Sequence, residues 1–426
     1  MNKSEEYFHT LLRFGSRPGL DSTRALLALL DRPQDGLKFI HVAGTNGKGS
    51  VCTFIASILK EAGYKTGLYT SPYVVDFAER IQVNGVLADN ETLYSCTMDV
   101  KSAIEELNSK GITVTEFEAV TAAAFLYYKK MNCDIVVLET GLGGRFDATN
   151  VIESPLECVL TSISLDHMAV LGDTVEKIAY EKCGIIKKNA AVITPDTQLP
   201  CVLDVIRERC AQENDDLTVV DTSCRVLEST IHHTKLLKDE LEITVPLAGE
   251  HQVQNALVAV SAVKRLRDIS FDIPDSAIKN GIEKTKIHAR CEVISENPLV
   301  LLDGGHNSGA TMMLAALLRT HLGDKKIHAV LGMMRDKDIS ANLNNLLPLF
   351  ESVITVTASN PRSATARELY DFVKNTGFRG EVTCADSLEN ACGLLKSRLI
   401  DGTAGVVCGS LYLAGDMYES LRNEFN

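Results

Sequence analysis

A chain of 426 residues that is 45% hydrophobic holds enough apolar surface for more than one core, and at roughly 100 to 200 residues per domain two domains are expected. Its formal net charge of -13 repels a phosphate backbone over most of the surface, with no basic patch to offset it, which argues against nucleic acid as a partner. The opening MNKSEEYFHT puts glutamates where a signal peptide has its basic and apolar parts, and no run reaches the roughly 18 apolar residues of a membrane span, so a cytoplasmic protein without a membrane partner is expected.

The first strand is expected at KFIHVAG, residues 38 to 44. Val51, Phe54, Ile55, Ile58 and Leu59 then recur at helical spacing, and Gly63 is placed to end that helix in a left-handed turn. Strands follow at TGLYT, before Ser71, and at CDIVVLE (133 to 139), CVLTSIS (158 to 164) and AVIT (191 to 194), the alternation of a mainly parallel sheet. An Asp-x-x-Glu capping box from Asp173 to Glu176 is expected to open a short helix that runs to about Cys183 and stops at Gly184. Asn297 and Pro298 break any helix near SENPLV, and the alternation restarts at LVLLD (299 to 303), IHAVLG (327 to 332), SVITVT (352 to 357) and GVVCG (405 to 409). The expected fold class is α/β: an N-terminal domain over residues 1–295 on a mainly parallel sheet of P-loop type, and a smaller Rossmann-like α/β domain over 296–426. Twelve cysteines are scattered, with Cys384 and Cys392 the closest pair; they read as buried reduced thiols, neither a disulfide framework nor a zinc site. His232 and His233 read as surface residues.

HVAGTNGKGS, from His41 to Ser50, stands between the first strand and its helix. Glycines let successive N–H groups point at a phosphate, the helix N-terminus adds its positive dipole end, and Lys48 supplies a point charge, so a nucleotide cradle is expected. Against the P-loop pattern, Val42 stands at the first glycine position and Gly49 at the hydroxyl position. The hydroxyl for Mg²⁺ therefore comes from Ser50 or from elsewhere. Candidate ligands at the carboxyl ends of the strands are Glu139, Asp166, His167 and Ser71, since magnesium needs only a few protein oxygens. Each also has an ordinary structural reading: Ser71 as a turn residue before Pro72, His167 as a helix flank, Glu139 as a solvated strand end.

With these residues in place the chain resembles the folylpolyglutamate synthase/dihydrofolate synthase family, relatives of the Mur ligases. The resemblance runs through RPGL (17 to 20), HVAGTNGKGS, LYTSP (68 to 72), LETGLGGRFDATN (138 to 150), TSISLDH (161 to 167), LGDTVEKIAYEKCGIIK (171 to 187), GEHQVQNA (249 to 256), LLDGGHN (301 to 307) and GSLYLAG (409 to 415). GLGGRFDATN and DGGHN point to the folate branch. The resemblance implies a first domain of Mur-type ATP-binding kind and a glutamate-ligase second domain. It implies ATP bound by Gly44, Thr45, Asn46, Gly47, Lys48, Gly49 and Ser50, with Asn255, Arg290 and Asp303 holding the nucleotide and His306 in the same DGGHN turn as a catalytic residue. It implies Mg²⁺ held by Ser50, Ser71, Glu139 and His167, and Lys182 carbamylated by CO₂ as a further anion there. It implies pteroate contacts at Gly19, Leu20 and Asp21, at Glu116, Phe117, Glu118 and Ala119, and at Phe146, Asp147 and Ala148. Two departures stand: HARCE at 288 to 292 where the family reads PGRLE, and DGGHN where it reads DGAHN.

The reaction implied has two steps. A substrate carboxylate attacks the γ-phosphoryl group of ATP, with Lys48 and the loop amides stabilising charge, and gives an acyl phosphate and ADP. The amine of L-glutamate then displaces phosphate, and the second domain is expected to close so that water cannot hydrolyse the acyl phosphate. Dihydropteroate and folates are the expected substrates, and a monomer the expected state. The rival readings are a Mur-type cell-wall peptide ligase, a P-loop NTPase switch without ligase activity, and a small-molecule kinase.

Overall fold

Strands that are apolar at every position must be covered on both faces, and the interior runs here are: Phe39–Ala43 (β1) and Ile135–Glu139 (β5) are buried at all five positions. The computed structural model describes residues 3–12 and 19–425; Arg17 and Pro18 of the RPGL stretch lie outside them. The chain divides into two compact units. One comprises the chain up to Cys224 with Lys238–Ile243 and Gln254–Thr285; the other comprises Arg225–Leu237, Thr244–Val253 and everything from Lys286 onward.

The first unit is built on an eight-stranded sheet. To β1 and β5 it adds Thr66–Tyr69 (β2), Ile81–Val83 (β3), Val86–Leu87 (β4), Glu157–Leu160 (β6), Ala191–Pro195 (β7) and Leu217–Val220 (β8), in the order β4-β3-β2-β5-β1-β6-β7-β8. All neighbours from β2 to β8 are parallel, and β3 and β4 are antiparallel additions at one edge. The helix after β1 is Lys48–Glu61, and Val51, Phe54, Ile55, Ile58 and Leu59 are wholly buried on it. Each such side chain contributes about 1.5–3 kcal/mol. Gly63 follows at φ 93°, the left-handed turn expected of it.

Three local expectations are corrected. The strand in CVLTSIS ends at Leu160, because the backbone from Ser162 to Ser164 turns away to bond the glycine loop. The helix Val175–Lys182 is capped by Thr174, whose hydroxyl accepts from Lys177 N, while Asp173 pairs with Lys177 Nζ at 2.7 Å. Thr174 sits one residue closer to the first turn, so its short side chain reaches the orphan amide first. Gly184 lies inside a 3₁₀ turn, Cys183–Ile185; a Cβ there would stand 2.3 Å from Arg145 Cβ, so the glycine serves a close approach of two backbones.

The second unit carries a six-stranded sheet. Its strands are Glu292–Glu296 (β12), Leu299–Leu302 (β13), Lys326–Leu331 (β14), Phe350–Thr355 (β15), Glu381–Cys384 (β16) and Thr403–Cys408 (β17), in the order β12-β13-β17-β14-β15-β16. Before them in sequence come Arg225–Ser229 (β9), Thr234–Lys238 (β10) and Leu241–Val245 (β11), with β9 and β10 antiparallel. All pairs in the six-stranded sheet are parallel except β12 with β13. Asn297 and Pro298 form the turn of that antiparallel hairpin. A division at 295/296 thus falls within one hairpin, whereas the last and longest segment of the second compact unit begins at Lys286. None of the twelve cysteines is in a disulfide, and nine of them are buried. His232 and His233 face acids, at 3.6 Å from Glu296 and Glu228 respectively. No helix among the described residues is long and apolar enough to cross a membrane.

Candidate functional site

The glycine loop leaves the carboxyl end of β1 and is clamped from the next strand. Thr45 N and Asn46 N donate to Ser162 O at 2.8 and 3.3 Å, Thr45 Oγ1 donates to Ser164 O at 3.0 Å, and Thr161 Oγ1 donates to Asn46 O at 2.8 Å. The Thr45 and Asn46 amides are therefore scaffold, and the amides left to face a phosphate are those from Gly47 into the first turn of Lys48–Glu61. Glycine is required twice. At Gly44 a Cβ would sit 1.8 Å from Thr161 Oγ1, and Gly47 has φ 85° with a Cβ position 2.4 Å from Asn255 Oδ1. Asn255, on the helix Glu250–Arg267, is thereby brought against the loop.

Two lysines converge on one carbonyl. Lys182 Nζ donates to Gly44 O at 2.7 Å, and Lys48 Nζ donates to the same oxygen at 3.2 Å and to Thr45 O at 3.4 Å. Lys182 is 5% exposed. Burial first, and the neighbouring charge of Lys48 second, push its amine down to about 7. Asp166 and Asp147 pull the other way. A large share of Lys182 is thus a neutral amine near pH 7, the form that reacts with CO₂.

Glu139, at the end of β5, is 4% exposed. Its Oε2 accepts from Ser71 N at 3.0 Å and lies 3.6 Å from where a Cβ on Gly49 would stand. The structure thus brings Glu139, Ser71 and the glycine loop together at the carboxyl edge. Ser50 is buried in the first turn of the loop helix. His167 follows β6 in the left-handed conformation, with Nε2 3.9 Å from Asp166 Oδ1, and Asp166 Oδ1 accepts His167 N at 2.7 Å. Among the described residues no three His, Cys, Asp or Glu form a metal-binding group. A carboxylate with hydroxyls and water suits Mg²⁺, which keeps much of its hydration, and does not suit zinc.

Several of the expected pteroate contacts are committed elsewhere. Glu118 closes a capping box with Thr115, accepting from Thr115 N at 2.7 Å and Thr115 Oγ1 at 2.8 Å, and also accepts from Thr23 Oγ1 at 2.9 Å and from Ser22. Ala119 is wholly buried in the core. Asp147 accepts from Leu142 N, Thr149 N and Thr149 Oγ1 at 2.8, 3.0 and 2.5 Å and so shapes its own loop; burial holds its carboxyl above the ordinary range. Ala148 is buried behind it, and Thr149 in turn meets the buried His41 ring on β1 at 2.8 Å. Glu116 lies 4.0 Å from Arg80, Phe117 packs at Gly141, and Phe146 is 43% exposed under the Arg145 guanidinium, 4.2 Å from its centroid. Gly19 and Leu20 are partly exposed and Asp21 opens the helix Asp21–Leu29.

In the second unit, Asp303 ties two turns together. Its Oδ1 accepts from Gly305 N at 2.8 Å and its Oδ2 from Cys291 N at 3.0 Å, with Arg290 close enough to draw its carboxyl down against the effect of burial. Glu292 closes the HARCE turn, accepting from Ala289 N at 3.0 Å and meeting His288 Nδ1 at 3.1 Å. His306 Nδ1 is 3.2 Å from Gly304 O, and Asn307 caps Ser308–Leu322. Asp303 therefore ties the DGGHN turn to the HARCE turn, with Arg290 near it, despite the departures in sequence.

The Mur ligase middle domain matches residues 42–263 and the Mur ligase glutamate ligase domain matches residues 289–411. The dihydrofolate synthase/folylpolyglutamate synthase of Bacillus subtilis is 34% identical, covering 98% of each chain. The folylpolyglutamate synthase of Lacticaseibacillus casei is 32% identical over 99% of each. The chain belongs to the dihydrofolate synthase/folylpolyglutamate synthase family of Mur ligases. Solved members agree in fold: Mycobacterium tuberculosis folylpolyglutamate synthase complexed with ADP has a TM-score of 0.88 at 28% identity, covering 98% of both chains. Escherichia coli FolC in complex with DHPP and ADP has 0.86 at 28%, covering 99% of this chain and 98% of that one. Membership makes the chain an ATP-dependent ligase. Residues given no role of their own by motif reasoning are Thr161 and Ser162, within TSISLDH, and Gln198; Gln198 Nε2 holds Thr161 O at 2.7 Å and its Oε1 accepts Ile163 N at 3.0 Å. Gln198 lies in TPDTQLP, a stretch with no signal of its own.

Proposed function

We propose that this protein adds L-glutamate to dihydropteroate and to reduced folates, through an acyl phosphate and with ADP and phosphate as products. The observation that carries this reading is the arrangement at the end of β1, where Lys48, Lys182, Glu139 and Ser71 gather on the loop that opens the helix Lys48–Glu61. The amides from Gly47 to Ser50 and the Lys48 ammonium receive the triphosphate, and Asn255 steadies the loop from behind. Asn255, Arg290, Asp303 and His306 are assigned to the nucleotide. Ser50, Ser71, Glu139 and His167 would hold Mg²⁺, which when bound neutralises phosphate charge.

The substrate carboxylate attacks the γ-phosphorus in line as the bond to ADP breaks. The glutamate amine then attacks the acyl carbon, loses a proton, and phosphate leaves. Lys182, as a neutral amine, takes up CO₂ with loss of one proton, placing a carbamate anion beside the loop. Of the pteroate segments, Gly19 to Asp21, Glu116, Phe117 and Phe146 are assigned direct contact; Glu118, Ala119, Asp147 and Ala148 support them. The enzyme is a cytoplasmic monomer in this reading, with small molecules as its partners.

The test is ADP release with dihydropteroate or tetrahydrofolate, with and without L-glutamate, followed by product mass. Glutamate-dependent release and a product heavier by one glutamyl residue are expected. Release without dependence on glutamate, or with UDP-muramoyl peptides alone, would overturn the reading. An unmodified Lys182 amine in the mass of active enzyme would remove the carbamate from it.

A further inference from the structure

The turn that carries Phe146, Asp147 and Ala148 is pinned on two sides. Toward the helix Val175–Lys182, Arg145 N donates to Glu181 O at 2.8 Å, and Asn150 Nδ2 donates to Arg145 O and to Gly184 O, both at 3.0 Å. Toward the sheet the pin is His41, whose Nε2 lies 2.8 Å from Thr149 Oγ1. His41 is the one polar side chain of β1, a strand buried at every position, and it pairs with Leu138 of β5 on one side and Cys158 of β6 on the other.

A single hydroxyl hydrogen sets the direction of this contact. Asp147 Oδ1 accepts from Thr149 N and Oδ2 from Leu142 N, and these amides hold charge on the carboxyl against burial. The Thr149 hydroxyl gives its one hydrogen to Asp147 Oδ1 at 2.5 Å. Only its lone pairs remain for His41, so Nε2 carries the ring hydrogen and donates it. Nδ1 is then a bare acceptor, buried without a partner. Burial first, and the charge of Lys187 second, push the ring down to about 3, so it stays neutral through the neutral pH range. An apolar residue at this place in β1 would avoid the unpaired nitrogen. What histidine supplies in exchange is the bond from Nε2 to Thr149.

We propose that His41 is a positioning residue for the pteroate substrate: its Nε2 hydrogen fixes Thr149, the Thr149 hydroxyl fixes Asp147, and Asp147 sets the turn that presents the Phe146 ring. The proposal rests on the reading above in which Phe146 meets the pteroate. Hydrogen bonds in series in a dry interior stiffen one another, so loss of the first donor loosens the whole series. Among the described residues the ring makes no hydrogen bond to the glycine loop, although β1 leads straight into Gly44. The effect therefore falls on the pteroate and spares the triphosphate.

The test is steady-state kinetics of the full chain with dihydropteroate, L-glutamate, ATP and Mg²⁺. His41→Leu is expected to raise the KM for dihydropteroate at least about fivefold, with kcat within about threefold and the KM for ATP within about twofold. His41→Gln, whose side-chain amide returns an N–H at similar reach, is expected to bring the KM back to within about twofold of wild type. Thr149→Val is expected to match His41→Leu, and the double variant to exceed either by less than about twofold, because all three lack the same bond. An unchanged KM in His41→Leu, an equal loss in the Leu and Gln variants, or a rise in the KM for ATP as large as that for dihydropteroate would overturn the proposal. Phe146→Ala separates the two levels of inference. If it leaves the KM for dihydropteroate unchanged, the assignment of Phe146 fails and the proposal with it; if it raises that KM while His41→Leu does not, only the proposal fails. Should His41→Leu not fold, Thr149→Val decides by the same KM, together with nitrogen-15 spectra of the wild-type imidazoles, the His41 signals being those lost in His41→Gln. An Nε2–H ring at pH 7 is expected, and an Nδ1–H or doubly protonated ring refutes the proposal.

Discussion

At the scale of single residues the chemistry rests on how charge is arranged around Gly44. Lys48 and Lys182 share its carbonyl oxygen, and burial together with the nearby charge of Lys48 lowers the Lys182 amine. Lys48→Ala is expected to lower turnover at least about 100-fold, because the other amine at the loop, Lys182, is buried and bonded to Gly44 O and does not replace its charge on the phosphate. Glu139→Ala is expected to raise the Mg²⁺ needed for half-maximal ADP release at least tenfold or to abolish it; wild-type rates in both variants would remove the site assignment. Lys182 gives a stability test with a definite sign. Its amine titrates at about 7 in the folded protein against an ordinary value of 10.5, so between those values the unfolded chain binds the extra proton and stability rises with pH. In CO₂-free buffer, Lys182→Met is therefore expected to raise the melting temperature most at pH 6, with the gain shrinking toward pH 10, while activity is lost. A gain independent of pH would show that the amine is not buried as found.

Elements here are set by their ends more than by their middles. The helix Glu116–Lys130 begins with a carboxylate that serves four donors, from Ser22, Thr23 and Thr115, so Glu118 couples the helix start to the helix Asp21–Leu29. Glu118→Ala is expected to cost about 2–3 kcal/mol in urea unfolding, with the KM for the pteroate substrate unchanged within twofold. A tenfold rise in KM without loss of stability would return Glu118 to the binding surface. The end of β6 makes a related point. Ser162 looks like strand in a run of alternating apolar residues, yet its carbonyl is needed by two amides of the glycine loop, and the backbone leaves the sheet to supply it. Obligatory pairing of loop amides outweighs a local preference for strand.

At the scale of the molecule, sequence order and compact unit do not coincide, because Arg225–Leu237 and Thr244–Val253 belong with the chain from Lys286 onward. Within that unit β12 pairs along β13, and Cys291 and Ala289 amides are held by Asp303 and Glu292. A fragment that starts at Lys286 is expected to melt at least about 5 °C above one that starts at Pro298, since the shorter one loses a strand and leaves the edge of β13 unpaired. Equal melting by circular dichroism would mean that β12 adds nothing to the sheet.

The sequence by itself determined the α/β class, the places of the buried strands, the helix Lys48–Glu61 and the identity of its loop, because apolar periodicity and glycine-lysine spacing act over a few residues. It did not determine which amides of the loop stay available, that Asp147, Glu118 and Asp303 spend their oxygens on backbone turns, or that Thr161 and Gln198 brace the loop. Those are properties of contacts between residues that are tens to more than a hundred positions apart, such as Lys182 with Gly44 and His41 with Thr149. Only the folded chain brings such groups within hydrogen-bond distance, and only there does burial decide which of them keeps its charge.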